Sequence, residues 1–282
     1  MREFLLKIFS TTDGSAEIAL FNFWHILYWL IIVGGSIGAA FLLKGKTQQT
    51  KQKTLRVLAW LLPSLYIADF LIMPLARTDF TIDVDKLPFH ICTLLSFFVP
   101  FAQFNKKFDK VKDAIACLAI VSSLMYLTYP GAAVGDLTPW CYRVLQTFLY
   151  HGVLFAWGFL SVATGEITLD FKTIWKPLVG IAMIIVWALY GSTVYSHADH
   201  HFDWFFVTGS TFPFVPTPLM PFAVFFAVGG MCAIIHAIDL GVKKRLAKKS
   251  ATQTVETIEN ESVEVEAVVA AADATETEKT EE

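Results

Sequence analysis

NFWHILYWLIIVGGSIGAAFLL, residues 22–43, contains no Asp, Glu, Lys or Arg. A helix of this length measures roughly 33 Å at 1.5 Å per residue. That is enough to cross a hydrocarbon core of about 30 Å. Comparable apolar runs recur at roughly 55–76, 87–105, 113–130, 141–164, 174–195 and 218–241. Together they predict an all-α, polytopic membrane helix bundle with about seven transmembrane helices. The third and fourth runs are short enough to be tilted or partly re-entrant. Prolines at 63, 74, 88, 100 and 130 lie within or beside the runs. Membrane helices tolerate them when neighbours satisfy the freed carbonyls. Gly34 and Gly38 form a small-xxx-small pair, which predicts a packing face on the first helix.

Composition supports this reading. Of 282 residues, 55% are hydrophobic and only 17% charged, against about 25% charged in soluble domains. The net charge is −3 and no basic face is available for nucleic acid. The four cysteines (Cys92, Cys117, Cys141, Cys232) lie in or at the ends of apolar runs with no CxxC pair. That argues against a disulfide framework or a zinc ribbon. No short apolar stretch with a small-residue cleavage site opens the chain, so no cleaved signal peptide is expected. Residues 1–20 read as an interfacial segment, 21–242 as the membrane domain and 243–282 as a basic, then acidic, disordered tail. The partner of that tail is undetermined.

Basic residues cluster in alternate connections. One holds Lys44, Lys46, Lys51, Lys53 and Arg56. Another holds Lys106, Lys107, Lys110 and Lys112. Lys172 and Lys176 follow, and then Lys243, Lys244, Arg245, Lys248 and Lys249 after the last run. The positive-inside rule makes these cytoplasmic. The N-terminus is then outside, the C-terminus inside, and the number of spans odd.

With that orientation, ionisable groups gather in the outer half: His25, Asp69, His90, Cys92 and His151. Such groups are costly inside a span and mark functional sites by default. An outward-facing polar cavity would collect them. On the third helix, Cys92, Ser96, Pro100 and Gln103 follow helical spacing, whereas His90 points elsewhere if the helix is regular there. On the fifth, Arg143, Thr147 and His151 recur every four residues. Pro88 suits a first helical turn. Cys92 then lies near a helix N-terminus, where the dipole favours a thiolate. A nearby histidine makes a Cys–His nucleophile, with Cys92 attacking and His151 as base. His25, Asp69, His90, Gln146 and Thr147 are the candidate substrate-binding residues. The alternative from spacing alone is a packed cysteine and a hydrogen-bonded histidine. The outer loop with His197, Asp199, His200, His201 and Asp203 gives a weaker metal-binding reading. No Gly-rich phosphate loop or GxSxG elbow is present, and neither a cofactor nor a metal is expected in the site.

LPFHICTLLSFFVPF (87–101) and QTFLYHG (146–152) resemble the YwaF-type bacterial integral membrane family, which is related to the transmembrane protein 164 type of acyltransferase. The resemblance covers about residues 20–242. A Leu-Pro-x-His/Gln-x-Cys motif opens one helix in that family and a His-Gly lies in a later one, matching Cys92 and His151. His25 matches a first-helix histidine. The Gly-Pro-Trp element that often precedes the last helix is replaced here by Thr217-Pro218-Leu219-Met220-Pro221, and Asp203-Trp204 stands for an Asn-Tyr element. The resemblance implies transfer of a fatty acyl chain between membrane lipids through the cysteine and histidine. The alternative is a non-enzymatic transporter or receptor-like binder using the same cavity.

Overall fold

The computed structural model describes residues 17–76, 84–130, 137–196, 201–209 and 214–248. Among them there is no strand, and seven α-helices follow one another. They are α1 (Phe23–Leu43), α2 (Gln48–Ala76), α3 (Ile91–Phe104), α4 (Lys112–Thr128), α5 (Tyr142–Ala163), α6 (Trp175–Tyr195) and α7 (220–248). The chain divides into two compact units, Met1–His236 and Ala237–Glu282. The packing and the site described below belong to the first, which includes α7 as far as His236. In the second, Lys243 pairs with Asp239 one turn away.

Five helical segments are long and apolar enough to cross a membrane: Phe23–Leu43, Gln48–Ile72, Tyr142–Ala163, Phe171–Tyr195 and Thr217–Lys248. The third and fourth runs form the short helices. α3 has 14 residues, about 21 Å, and α4 has 17, about 26 Å. α4 is the centre of the bundle. Every residue from Ala114 to Ser123 is buried, the signature of a helix enclosed on all sides. It packs against α3, α5 and α6, while α5 also meets α1 and α2. The outer helices turn large apolar side chains outward, including Leu30, Phe41 and Leu42 on α1, Met183 and Val186 on α6, and Phe226 on α7. So large an apolar exterior fits lipid rather than water as its surroundings.

Among the described residues, nothing packs on the expected glycine face of α1. Nothing lies within 4 Å of a Cβ placed at Gly34 or Gly38. Two close approaches between helices are on α5 instead. A Cβ at Gly158 would stand 2.9 Å from the Ala116 carbonyl oxygen, and one at Gly152 would stand 3.0 Å from Ile32. These two glycines set the distances from α5 to α4 and to α1. Their neighbours come from distant parts of the sequence, so no local pattern marks them.

A polar clasp joins the ends of four helices. Glu166, just after α5, accepts from Gln48 Nε2 at 2.6 Å and from Gln52, and pairs with Lys112 at 3.4 Å. Gln52 Oε1 in turn accepts from Gln103 Nε2 at 3.2 Å, and Gln103 Oε1 from Trp157 Nε1 at 3.1 Å. The α1–α2, α3–α4 and α5–α6 connections therefore lie at the same end of the bundle. Between α2 and α3 a second tie lies toward the opposite end: Lys86 forms an ion pair with Asp69, and Tyr66 Oη donates to the Lys86 carbonyl at 2.5 Å.

Candidate functional site

α3 starts later than Pro88 suggests. His90 is its N-cap in extended conformation (φ −83°, ψ 146°), so Cys92 is the second helical residue. There the free backbone N–H groups and the helix dipole favour negative charge. The segment before it is firmly anchored. Trp187 Nε1 of α6 donates to the Pro88 carbonyl at 2.8 Å. The Phe89 ring is buried among Trp187, Tyr195 and Trp204, and fills the space where a side chain at Gly191 would stand. Because His90 is outside the regular helix, the angular separation expected between it and Cys92 does not apply. Its Nδ1 accepts from the Phe205 N–H at 3.2 Å, which leaves the proton on Nε2.

Cys92 is 9% exposed. Its thiol adjoins the Ser122 hydroxyl of α4, and its carbonyl accepts from Tyr150 Oη at 2.8 Å. The next residue on α5 is His151. His151 Nδ1 lies 2.8 Å from the Thr147 carbonyl, so Nδ1 carries the proton and Nε2 has the free lone pair. The ring lies flat on Tyr126, with centroids 3.6 Å apart and planes 5° apart, and meets Tyr150 edge-on at 5.1 Å. His90 is near enough to influence His151 electrostatically. Cys92 likewise influences Tyr126 and Tyr150. The structure thus gathers Cys92, His90, Ser122, Tyr126, Tyr150 and His151 into one cluster.

The other expected residues sit around it. Thr147 and Gln146 are half-buried, with Thr147 Oγ1 donating to Gln146 Oε1 at 3.3 Å. Asp69 is buried and ion-paired with Lys86, with Tyr142 hydrogen-bonded to it. His25 is 2% exposed and both its ring nitrogens are engaged. Nε2 donates to the Leu127 carbonyl at 2.7 Å and Nδ1 accepts from the Phe21 N–H at 2.9 Å. His25 therefore clamps the end of α4 beside Tyr126. Of the loop histidines, His197 and His200 lie outside the described residues, and His201 is exposed with Nε2 3.2 Å from Thr208 Oγ1. Among the described residues no group of three or more His, Cys, Asp and Glu side chains is arranged to hold a metal ion.

The family model described as the TMEM164 family matches residues 20–239. The chain belongs to the TMEM164 family. No curated protein and no solved structure matches it. The matched region contains every residue of the cluster.

Sequence reasoning missed Tyr126, Tyr150 and Ser122, because a tyrosine or serine in an apolar run reads as packing. The position of Tyr150 immediately before His151 was the one available signal. The other half of the bundle is also more polar than expected. Besides His236 it holds Gln103 and the clasp around Glu166. His236 Nδ1 lies 2.8 Å from the Cys232 carbonyl and 3.8 Å from Cys117 Sγ.

Proposed function

We propose that this protein is a multi-pass membrane acyltransferase of the cell membrane, with Cys92 as nucleophile and His151 as general base. The observation that carries the reading is the state of His151. Its Nδ1–H is committed to a backbone carbonyl, which leaves Nε2 as the basic nitrogen, and its ring is held by Tyr126 and by Tyr150, the tyrosine whose hydroxyl also bonds the carbonyl of the helix-N-terminal Cys92. Kinship to the bacterial YwaF type, seven spans, an outside N-terminus and an outward-facing cavity are parts of the same proposal.

In the reaction, Cys92 Sγ attacks the ester carbonyl carbon of a membrane lipid and its proton passes to His151 Nε2. Collapse of the tetrahedral intermediate breaks the C–O bond, and the leaving alkoxide takes that proton, leaving a thioester on Cys92. A second lipid hydroxyl, deprotonated by His151, then receives the acyl group and releases the thiol. Asp69 with Lys86, His90, Gln146 and Thr147 line the approach for substrate, and His25 positions α4.

Intact-protein mass spectrometry of the chain purified from membranes tests this. An acyl mass on wild type, labile to neutral hydroxylamine and missing from Cys92→Ala, is expected. Saturable uptake of a small ligand with no acyl mass and no lipid turnover would instead establish a transporter or receptor-like binder.

A further inference from the structure

Tyr126 lies in the last turn of α4, flat against the His151 ring. Its hydroxyl oxygen is buried and has no hydrogen-bond partner. The Thr147 side chain approaches it and Cys92 and Arg143 act on it electrostatically, but no contact reaches hydrogen-bonding geometry. Thr147 Oγ1 is turned to Gln146 Oε1. A buried O–H left unpaired is costly to the fold, and native structures contain few of them. Ring packing alone does not account for it, since phenylalanine would stack equally well without that cost. The surroundings also fix its position. His25 holds the Leu127 carbonyl immediately after it, and the imidazole covers one face of the ring.

We propose that Tyr126 donates the hydrogen bond that stabilises the carbonyl oxygen of an acyl group as Cys92 attacks it, so that the ligand of this site is an ester with its carbonyl at Tyr126 Oη. The inference rests on the Cys92–His151 reading. When Sγ bonds to the carbonyl carbon, the C=O π electrons move onto oxygen and the O–H donor meets the resulting negative charge. On collapse the electrons return to the C=O bond, the leaving group departs with the proton held by His151, and Tyr126 keeps its own proton throughout. Donors placed where charge develops give large rate effects.

The test uses two Cys92 reactions with different electronic demands in the purified full chain. Acylation by p-nitrophenyl octanoate passes through an oxyanion, whereas alkylation by iodoacetamide is displacement at a saturated carbon and develops none. Tyr126→Phe keeps the ring and removes the hydroxyl. Its acylation is expected to slow about 100-fold with the alkylation rate unchanged and the melting temperature no lower, since the cost of the unpaired hydroxyl is removed. Equal acylation of wild type and Tyr126→Phe overturns the proposal while leaving the Cys–His reading intact. A parallel fall in both reactions also overturns it, since Tyr126 then acts on the thiol or on His151. Failure of wild type to form the acyl adduct overturns both. If Tyr126→Phe does not fold, 3-fluorotyrosine at position 126 preserves shape and strengthens the donor. It should change the acylation rate and not the alkylation rate, and an unchanged acylation rate refutes the role.

Discussion

Cys92 and His151 make opposite demands on their surroundings. The thiol needs help to ionise, which in the proposed pair comes from the helix N-terminus and from the His151 imidazole. With that help Cys92, 9% exposed, should react with iodoacetamide faster than Cys117, Cys141 or Cys232, which are 0–1% exposed, and the part of the advantage that is chemical is the part that depends on His151. His151→Ala should reduce the advantage by about 100-fold or more, the low end for a general base. Mass mapping of alkylated peptides over time measures it, and equal rates at all four cysteines would defeat the pair. Asp69 makes a separate prediction. Removing one partner of a largely buried ion pair strands the other charge, at a cost of about 3–5 kcal/mol. Asp69→Ala should therefore lower the melting temperature more than the double variant Asp69→Ala/Lys86→Met. If the double variant melts at or below the single one, the pair is not the reason Asp69 is buried.

At the scale of elements, α4 and α5 form the crossing on which the site depends, since one contributes Ser122 and Tyr126 and the other Tyr150 and His151. Gly158 holds that crossing close. An alanine there pushes on the Ala116 carbonyl, which is backbone and cannot rotate away. We expect Gly158→Ala to destabilise by about 1–3 kcal/mol, and Gly34→Ala, with open space around it, to be neutral in the same thermal melt. A neutral Gly158→Ala would mean that the crossing relaxes freely. The helices themselves were legible because an apolar run long enough to span has few other uses. The shortness of α3 and α4 was legible too, from the same runs. The packing was not. Nothing in the sequence couples Gly158 to Ala116, Asp69 to Lys86, or the first-helix His25 to the end of α4. Cys92 and His151 stood out as ionisable groups in spans, but Tyr126 did not. Its distinguishing feature is a missing partner, which only three-dimensional placement reveals.

For the whole molecule the open choice is between seven crossings and five with α3 and α4 as a re-entrant pair. Parity does not separate them, because both counts are odd and both put the termini on opposite sides. Helix length favours the re-entrant pair, since about 21 Å and 26 Å fall short of a core near 30 Å. The ties between helices favour crossing. Gln103 at the end of α3 reaches Gln52 near the start of α2, and Lys112 joins Gln48 and Gln52 on Glu166. The α3–α4 connection thus lies level with the basic α1–α2 connection. At the other end Lys86 meets Asp69, and α2 continues to Ala76, about 10 Å farther. α3 is then short because its N-terminus is recessed, not because it turns back. That recess puts Cys92 below the level at which α2 ends, and in the proposed orientation that end of the bundle faces outward. A cysteine replacing Lys107 should therefore be labelled by a membrane-impermeant maleimide only from the cytoplasmic side, and one replacing His201 only from outside. The four native cysteines are buried, so they contribute little background. Labelling at 107 from outside would reverse the orientation, whereas protection at 107 from both sides of an intact membrane, with full labelling in detergent, would make α3 and α4 a re-entrant pair.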